Sequence, residues 1–107
     1  MNYYFKYYRN RIIMLSKIKK YFNTEIVKIY DNSMYHKNNN SKKHLTILIV
    51  SNAFVQKSIL NRHRQVYQAL SKEINNTIYA LSIHTYTFHE WKKNNIINIK
   101  KNICKFM

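Results

Sequence analysis

No glycine and no proline occur among the 107 residues, and there is one cysteine, Cys104. These absences exclude collagen-like and Pro/Gly low-complexity chains, and also a small scaffold stapled by disulfides. Without glycine there is no Walker loop, no dinucleotide fingerprint and no nucleophile elbow. Acid is nearly as scarce. Glu25, Asp31, Glu73 and Glu90 are the only carboxylates, and no two form the close pair that acid–base chemistry needs. The reading is therefore not an enzyme, with no catalytic residue and no small-molecule substrate. Long apolar runs are missing too. The stretch Ile12-Ile13-Met14-Leu15 is too short for a membrane span or for the centre of a signal peptide. A lone cysteine makes no internal disulfide, so a reducing, cytoplasmic setting is expected.

Asn, Ile and Lys number 15 each; with 10 Tyr and 5 Phe they make up 60 of 107 residues. All five belong to A/T-rich codons, as Gly and Pro belong to G/C-rich ones, so the composition points to an A/T-rich genome. That changes how the net charge of +15 is weighed. Such a charge suggests nucleic acid or an acidic surface as partner, yet codon drift also deposits lysine on a solvated surface. Only basic residues with a positional argument count as site candidates. The hydrophobic fraction of 46% supports one folded domain.

Along the chain, the first residues are tyrosine-rich and without clear period. Residues 1–12 read as an N-terminal extension, 13–94 as the domain and 95–107 as a C-terminal tail. Met14, Ile18 and Phe22 recur every four residues, which predicts an amphipathic helix over about 10–22, ended by Asn23-Thr24. Residues 25–30, EIVKIY, are β-branched and aromatic and predict a strand. The polar stretch from Asp31 to Lys43 predicts a loop; in a small domain a loop of that length is either functional or loosely held. Leu45 to Val50, almost wholly apolar, predicts a central strand covered on at least one face. A helix is predicted over about 58–74. Its apolar stripe holds Ile59, His63, Val66, Tyr67, Leu70 and Ile74, with Arg62 and Arg64 on its shoulders, and Asn75-Asn76 supply its left-handed end. Residues 77–86 alternate as a third strand, with Tyr79, Leu81 and Ile83 on one face and Ala80, Ser82 and His84 on the other. Thr87 to Glu90 fits a capping box that opens a last short helix carrying Trp91. The fold class expected is α/β, a three-stranded mixed sheet with helices on one face, in the order α-β-β-α-β-α.

LTILIVSNAF, SILNRHRQVYQAL and IYALSIHTYTFHEW together resemble the BolA family. The resemblance covers roughly residues 13–93. Its most specific elements are the Arg62–Tyr67 run, the ALSIHTYT strand and the closing Glu90-Trp91. It implies a K-homology-like fold, partnership with a monothiol glutaredoxin around a shared [2Fe–2S] cluster, and, for bacterial members, transcriptional regulation through DNA. Three departures stand out. HKNNNSKKH replaces a loop that usually carries Pro and Gly. Gln56 stands where a Gly is usual. Tyr79 stands where the family has the histidine that ligates the cluster, and a phenol is a poor donor to a soft iron site.

The resemblance makes His36, in the polar loop, the remaining candidate for a shared-cluster ligand; its alternative is an exposed loop histidine. Arg62, Arg64, Lys57 and Lys72 are the candidates for nucleic-acid or partner binding, since arginine offers a planar fork to phosphate or carboxylate. The alternative is helix solvation with the stems lying over the core edge. His63, Thr87, Glu90 and Trp91 are assigned structural roles. His84 lies across the strand from Tyr79, so it does not stand in for the missing ligand. His44 reads as surface, and Cys104 has no second thiol or nearby histidine to make a site. No cofactor of the chain's own is expected, only a possible share in the glutaredoxin's cluster.

Overall fold

The computed structural model describes residues 3–31, 43–76 and 79–93. Helix α1, Tyr3–Tyr21, is followed by strand β1, Val27–Asp31, and strand β2, Lys43–Val50. A 3-10 turn, Asn52–Phe54, leads to helix α2, Ile59–Ala69, helix α3, Ser71–Asn76, and strand β3, Tyr79–Tyr86. Residues 88–93 form a last helix, α4. The sheet order is β1-β2-β3; β1 runs antiparallel to β2, and β3 runs parallel to it. This is the mixed three-stranded sheet that the sequence predicts. Helix α1 begins at Tyr3 rather than near residue 10.

β2 is the central strand because it alone can be apolar on both faces. Leu45, Ile47 and Ile49 are fully buried against the helices, each contributing roughly 1.5–3 kcal/mol on burial. Met14, Ile18 and Phe22 of α1 and Val66 and Leu70 from the second helical region complete the core. Leu81 and Ile83 of β3 pack against it from the predicted face.

α1 ends where a glycine would normally stand. Asn23 takes the left-handed conformation, φ 49°, and the Thr24 amide donates to the Lys19 carbonyl at 3.0 Å. Asparagine tolerates that region better than other side-chain-bearing residues. Buried hydroxyls then hold two chain segments together. Thr24 Oγ1 donates to the Val50 carbonyl, and Ser51 Oγ donates to the Phe22 carbonyl at 2.6 Å. Phe22 and Phe54 pack beneath them, ring centroids 4.9 Å apart.

The second helical region departs from expectation in phase and continuity. Leu70, at φ −109° and ψ 14°, separates α2 from α3 where one helix was predicted. The buried residues are Arg62, Val66, Leu70 and Glu73, while Ile59 and Tyr67 are 55% and 46% exposed. At about 100° per residue, the buried face is turned roughly 55° from the predicted stripe. Two ions on that face cause the rotation, because each is met from another element. Lys17 of α1 reaches Glu73 Oε1 at 2.6 Å, and Arg62 is neutralised as described below. Asn75 and Asn76 are helical and do not supply the left-handed end.

Gln56 has φ 61°, so the site of the missing glycine keeps a positive backbone angle under a side chain. Such a residue costs about 1 kcal/mol or more. Gln56→Gly is expected to raise stability by about 0.5–1 kcal/mol, the relief being partly offset by unfolded-chain entropy. Denaturant unfolding will show this as a higher midpoint with unchanged slope.

Candidate nucleic-acid and partner interface

Arg62 lies one turn into α2, whose N-terminus is capped by Ser58 Oγ accepting from the Asn61 amide at 3.2 Å. That start turns the Arg62 side chain inward, and it is only 6% exposed. Its Nε donates to the Lys57 carbonyl at 2.9 Å. Its Nη1 donates to Glu90 Oε1 at 2.8 Å and approaches the Thr85 carbonyl at 3.4 Å. The guanidinium also sits 5.7 Å from the Phe54 ring centre, within cation–π range. Arg62 was a candidate for phosphate or partner binding. The structure instead places it inside the fold, with Nε and Nη1 engaged by internal acceptors.

Glu90 serves two elements at once. The Thr87 amide donates to Glu90 Oε1 at 2.7 Å, and the Glu90 amide donates to Thr87 Oγ1 at 3.1 Å, which is the predicted capping box. Its carboxyl is held below its ordinary value of 4.5, first by the Arg62 hydrogen bond and then by the Thr87 amide. Trp91 packs on Tyr86, centroids 5.5 Å apart, and so seats α4 against the end of β3. Thr87, Glu90 and Trp91 therefore hold the chain together at this corner. His63 is half-buried at the boundary of the α2 packing face.

The remaining basic candidates are on the outside. Arg64 and Lys72 are exposed, with exposed Gln68 spaced between them, and Lys57 is half-buried just before α2. Among the described residues of α2 and α3 the one carboxylate is Glu73, and it is buried against Lys17. The outward surface of this helical pair is thus free of acid, and it exposes Ile59, Leu60 and Tyr67 beside the cations.

The opposite end concerns the cluster candidates. Lys43, the first residue of β2, pairs with Tyr79, the first of β3. His36 lies outside the described residues, as does Cys104 in the tail. His84 is exposed on the sheet face away from Leu81 and Ile83. His44 Nε2 lies 3.3 Å from Ser82 Oγ, a contact that ties it to the next strand. Among the described residues no three His, Cys, Asp or Glu side chains come together as a metal site, and no described helix is long and apolar enough to cross a membrane.

The comparisons with known proteins agree with this architecture. The family model described as BolA-like protein matches residues 18–90. A Buchnera aphidicola protein, named as uncharacterized protein BU473, is 42% identical, with 82% of this chain and 95% of that one covered. The Escherichia coli protein named DNA-binding transcriptional regulator BolA is 35% identical over 71% of this chain and 73% of its own. The solved BolA domain of SufE1 from Arabidopsis thaliana superposes with a TM-score of 0.67 at 32% identity, covering 74% of this chain and 92% of that one.

Sequence reasoning found the capping box but missed the Arg62–Glu90 pair, whose members stand 28 positions apart. The available signal was the rarity of acid, because three of only four carboxylates are engaged by the chain's own cations. Arg62→Ala is expected to cost about 2–4 kcal/mol, leaving carbonyls and a carboxylate without their donor. Arg64→Ala should change stability by less than about 0.5 kcal/mol; thermal unfolding separates the two. Because the folded carboxyl of Glu90 titrates lower than the unfolded one, its stabilisation is complete above about pH 4.5 and disappears as pH falls through the folded value. Glu90→Gln should therefore flatten the acid side of a stability–pH curve.

Proposed function

Because the chain belongs to the BolA family, we propose that it acts as a non-enzymatic regulator that contacts DNA through the outward face of α2 and α3. The observation that carries this reading is the acid-free surface bearing Arg64 and Lys72, with Lys57 at its leading edge. A relative with 35% identity is named as a DNA-binding transcriptional regulator. Arginine and lysine on such a surface hold phosphate oxygens and set the protein's position on the duplex; sequence preference needs further contacts to base edges or DNA shape. Arg62 supports the surface from beneath by fixing the start of α2.

Titrating duplex DNA by fluorescence polarisation at several salt concentrations tests this. Arg64→Ala and Lys72→Ala should each lower affinity and reduce the salt slope by about 1. Lys19→Ala and Lys28→Ala, on α1 and β1, should leave both nearly unchanged. Equal losses from all four substitutions would mean indiscriminate attraction by a basic chain and would defeat the proposal.

A second reading is partnership with a monothiol glutaredoxin around a shared [2Fe–2S] cluster. It is favoured by the β2–β3 register, which sets residue 79 beside Lys43, seven positions after His36 in the sequence. The donor set does not fit that group well. A phenol with a pKa near 10 stands at residue 79, where a soft iron site wants imidazole or thiolate. The partnership is accordingly proposed as a docking function, with no step assigned to the cluster. Mixing with a cluster-loaded glutaredoxin and recording visible circular dichroism should give a larger change for Tyr79→His than for the natural chain. Identical spectra for both, with no complex on sizing, would dispose of this reading.

A further inference from the structure

We propose that the free edge of β1 and the neighbouring face of α1 form a groove that takes an extended acidic–apolar peptide by strand addition. This surface is separate from the α2–α3 face and does not depend on the DNA reading. Among the described residues the sheet order ends at β1. The Val50 amide donates to the Ile26 carbonyl at 3.0 Å, which fixes the pairing phase: residues 26, 28 and 30 bond to β2, and the backbone groups of Val27 and Ile29 point outward. Beside that edge lies a groove of about 370 Å³, lined by Arg11, Ile12 and Leu15 of α1 and by β1 from Val27 to Tyr30. A sheet edge facing a helix across a groove is a known setting for peptide recognition, in which backbone pairing supplies affinity and alternate side chains supply specificity.

Charge identifies the occupant. Arg11 and Lys28 line the groove, and among the described residues no carboxylate does. Ile12, 68% exposed, and Leu15 offer apolar contact between the cations. The Arg11 guanidinium now donates to the Ile29 carbonyl at 2.8 Å, occupying the position that an incoming peptide amide would take. On strand addition the peptide N–H replaces it there, and the guanidinium turns to an acidic side chain of the peptide. A second copy of this chain is a poor occupant. It has only four carboxylates, and Glu73 and Glu90 are held internally. The chain's own residues 94–107 carry lysines and no acid, so the two groove cations repel them.

The test uses the full labelled chain and a short end-capped peptide of alternating valine and glutamate. Controls are its valine–lysine counterpart, polyglutamate of equal length, and the valine–glutamate peptide N-methylated at alternate amides. Amide NMR shifts should concentrate at residues 11–15 and 27–30. Both the lysine and the N-methylated peptide should bind about tenfold more weakly or worse, and polyglutamate should also be weaker. Lys28→Glu, at an exposed position, should weaken binding about tenfold with unchanged circular dichroism. Equal binding of the N-methylated peptide, equal binding of polyglutamate, shifts centred on α2–α3, or no binding at millimolar peptide would each overturn the proposal. Self-association that moves the same amides without peptide would overturn it in favour of a second copy.

Discussion

The pairing of Arg62 with Glu90 spans 28 positions and brings three elements to one corner. Through it the first turn of α2, the end of β3 and the start of α4 share a single guanidinium. A charge removed from water is costly unless it is matched and hydrogen-bonded. Here the match includes a carboxylate and the Lys57 carbonyl, with the Thr85 carbonyl nearby and an aromatic ring against the cation. Half of the arrangement remains open to water on the Glu90 side, which moderates the cost. The consequence for function is indirect. Arginine here sets how the helix sits, and that in turn decides which side of α2 faces outward with Arg64.

A chain without glycine must solve tight backbone geometry by other means, and three solutions are visible. Asn23 accepts the left-handed turn after α1. Thr24 and Ser51 bring the ends of α1 and β2 together through side-chain hydroxyls. Gln56 meets its positive φ with no evident local compensation. The first two preserve stability with polar atoms that are satisfied in burial. The third leaves strain directly before α2, close to the proposed DNA-contacting surface.

Much of this fold was legible in the residues themselves. The four-residue recurrence of Met14, Ile18 and Phe22, the apolar run of β2, the alternation of β3 and the Thr87–Glu90 box all express local periodicities. They survive because any apolar surface suffices to bury such side chains, with no specific charged partner required from far along the chain. The face of α2 was not legible, because pattern reading sends every charge to water. Arg62 and Glu73 turn inward only because Glu90 and Lys17 arrive from other elements. Ile59 and Tyr67 were displaced outward by the same rotation. Of the candidate site, Arg64 and Lys72 are exposed and Arg62 is buried. His36 falls outside the described residues, so its assignment rests on the family resemblance alone.

Arginines meet backbone carbonyls at both margins of the sheet. Arg11 occupies an outward carbonyl of β1, and Arg62 approaches the carbonyl of Thr85 beside the last residue of β3. Exposed strand margins invite runaway pairing between molecules, and proteins commonly blunt them with proline or charge. This chain has no proline, so charge is the device of the two that it can use. On β1 that charge is the Arg11 guanidinium, which already fills the outward Ile29 carbonyl, while on β3 the buried Arg62 closes the Thr85 carbonyl from inside the fold.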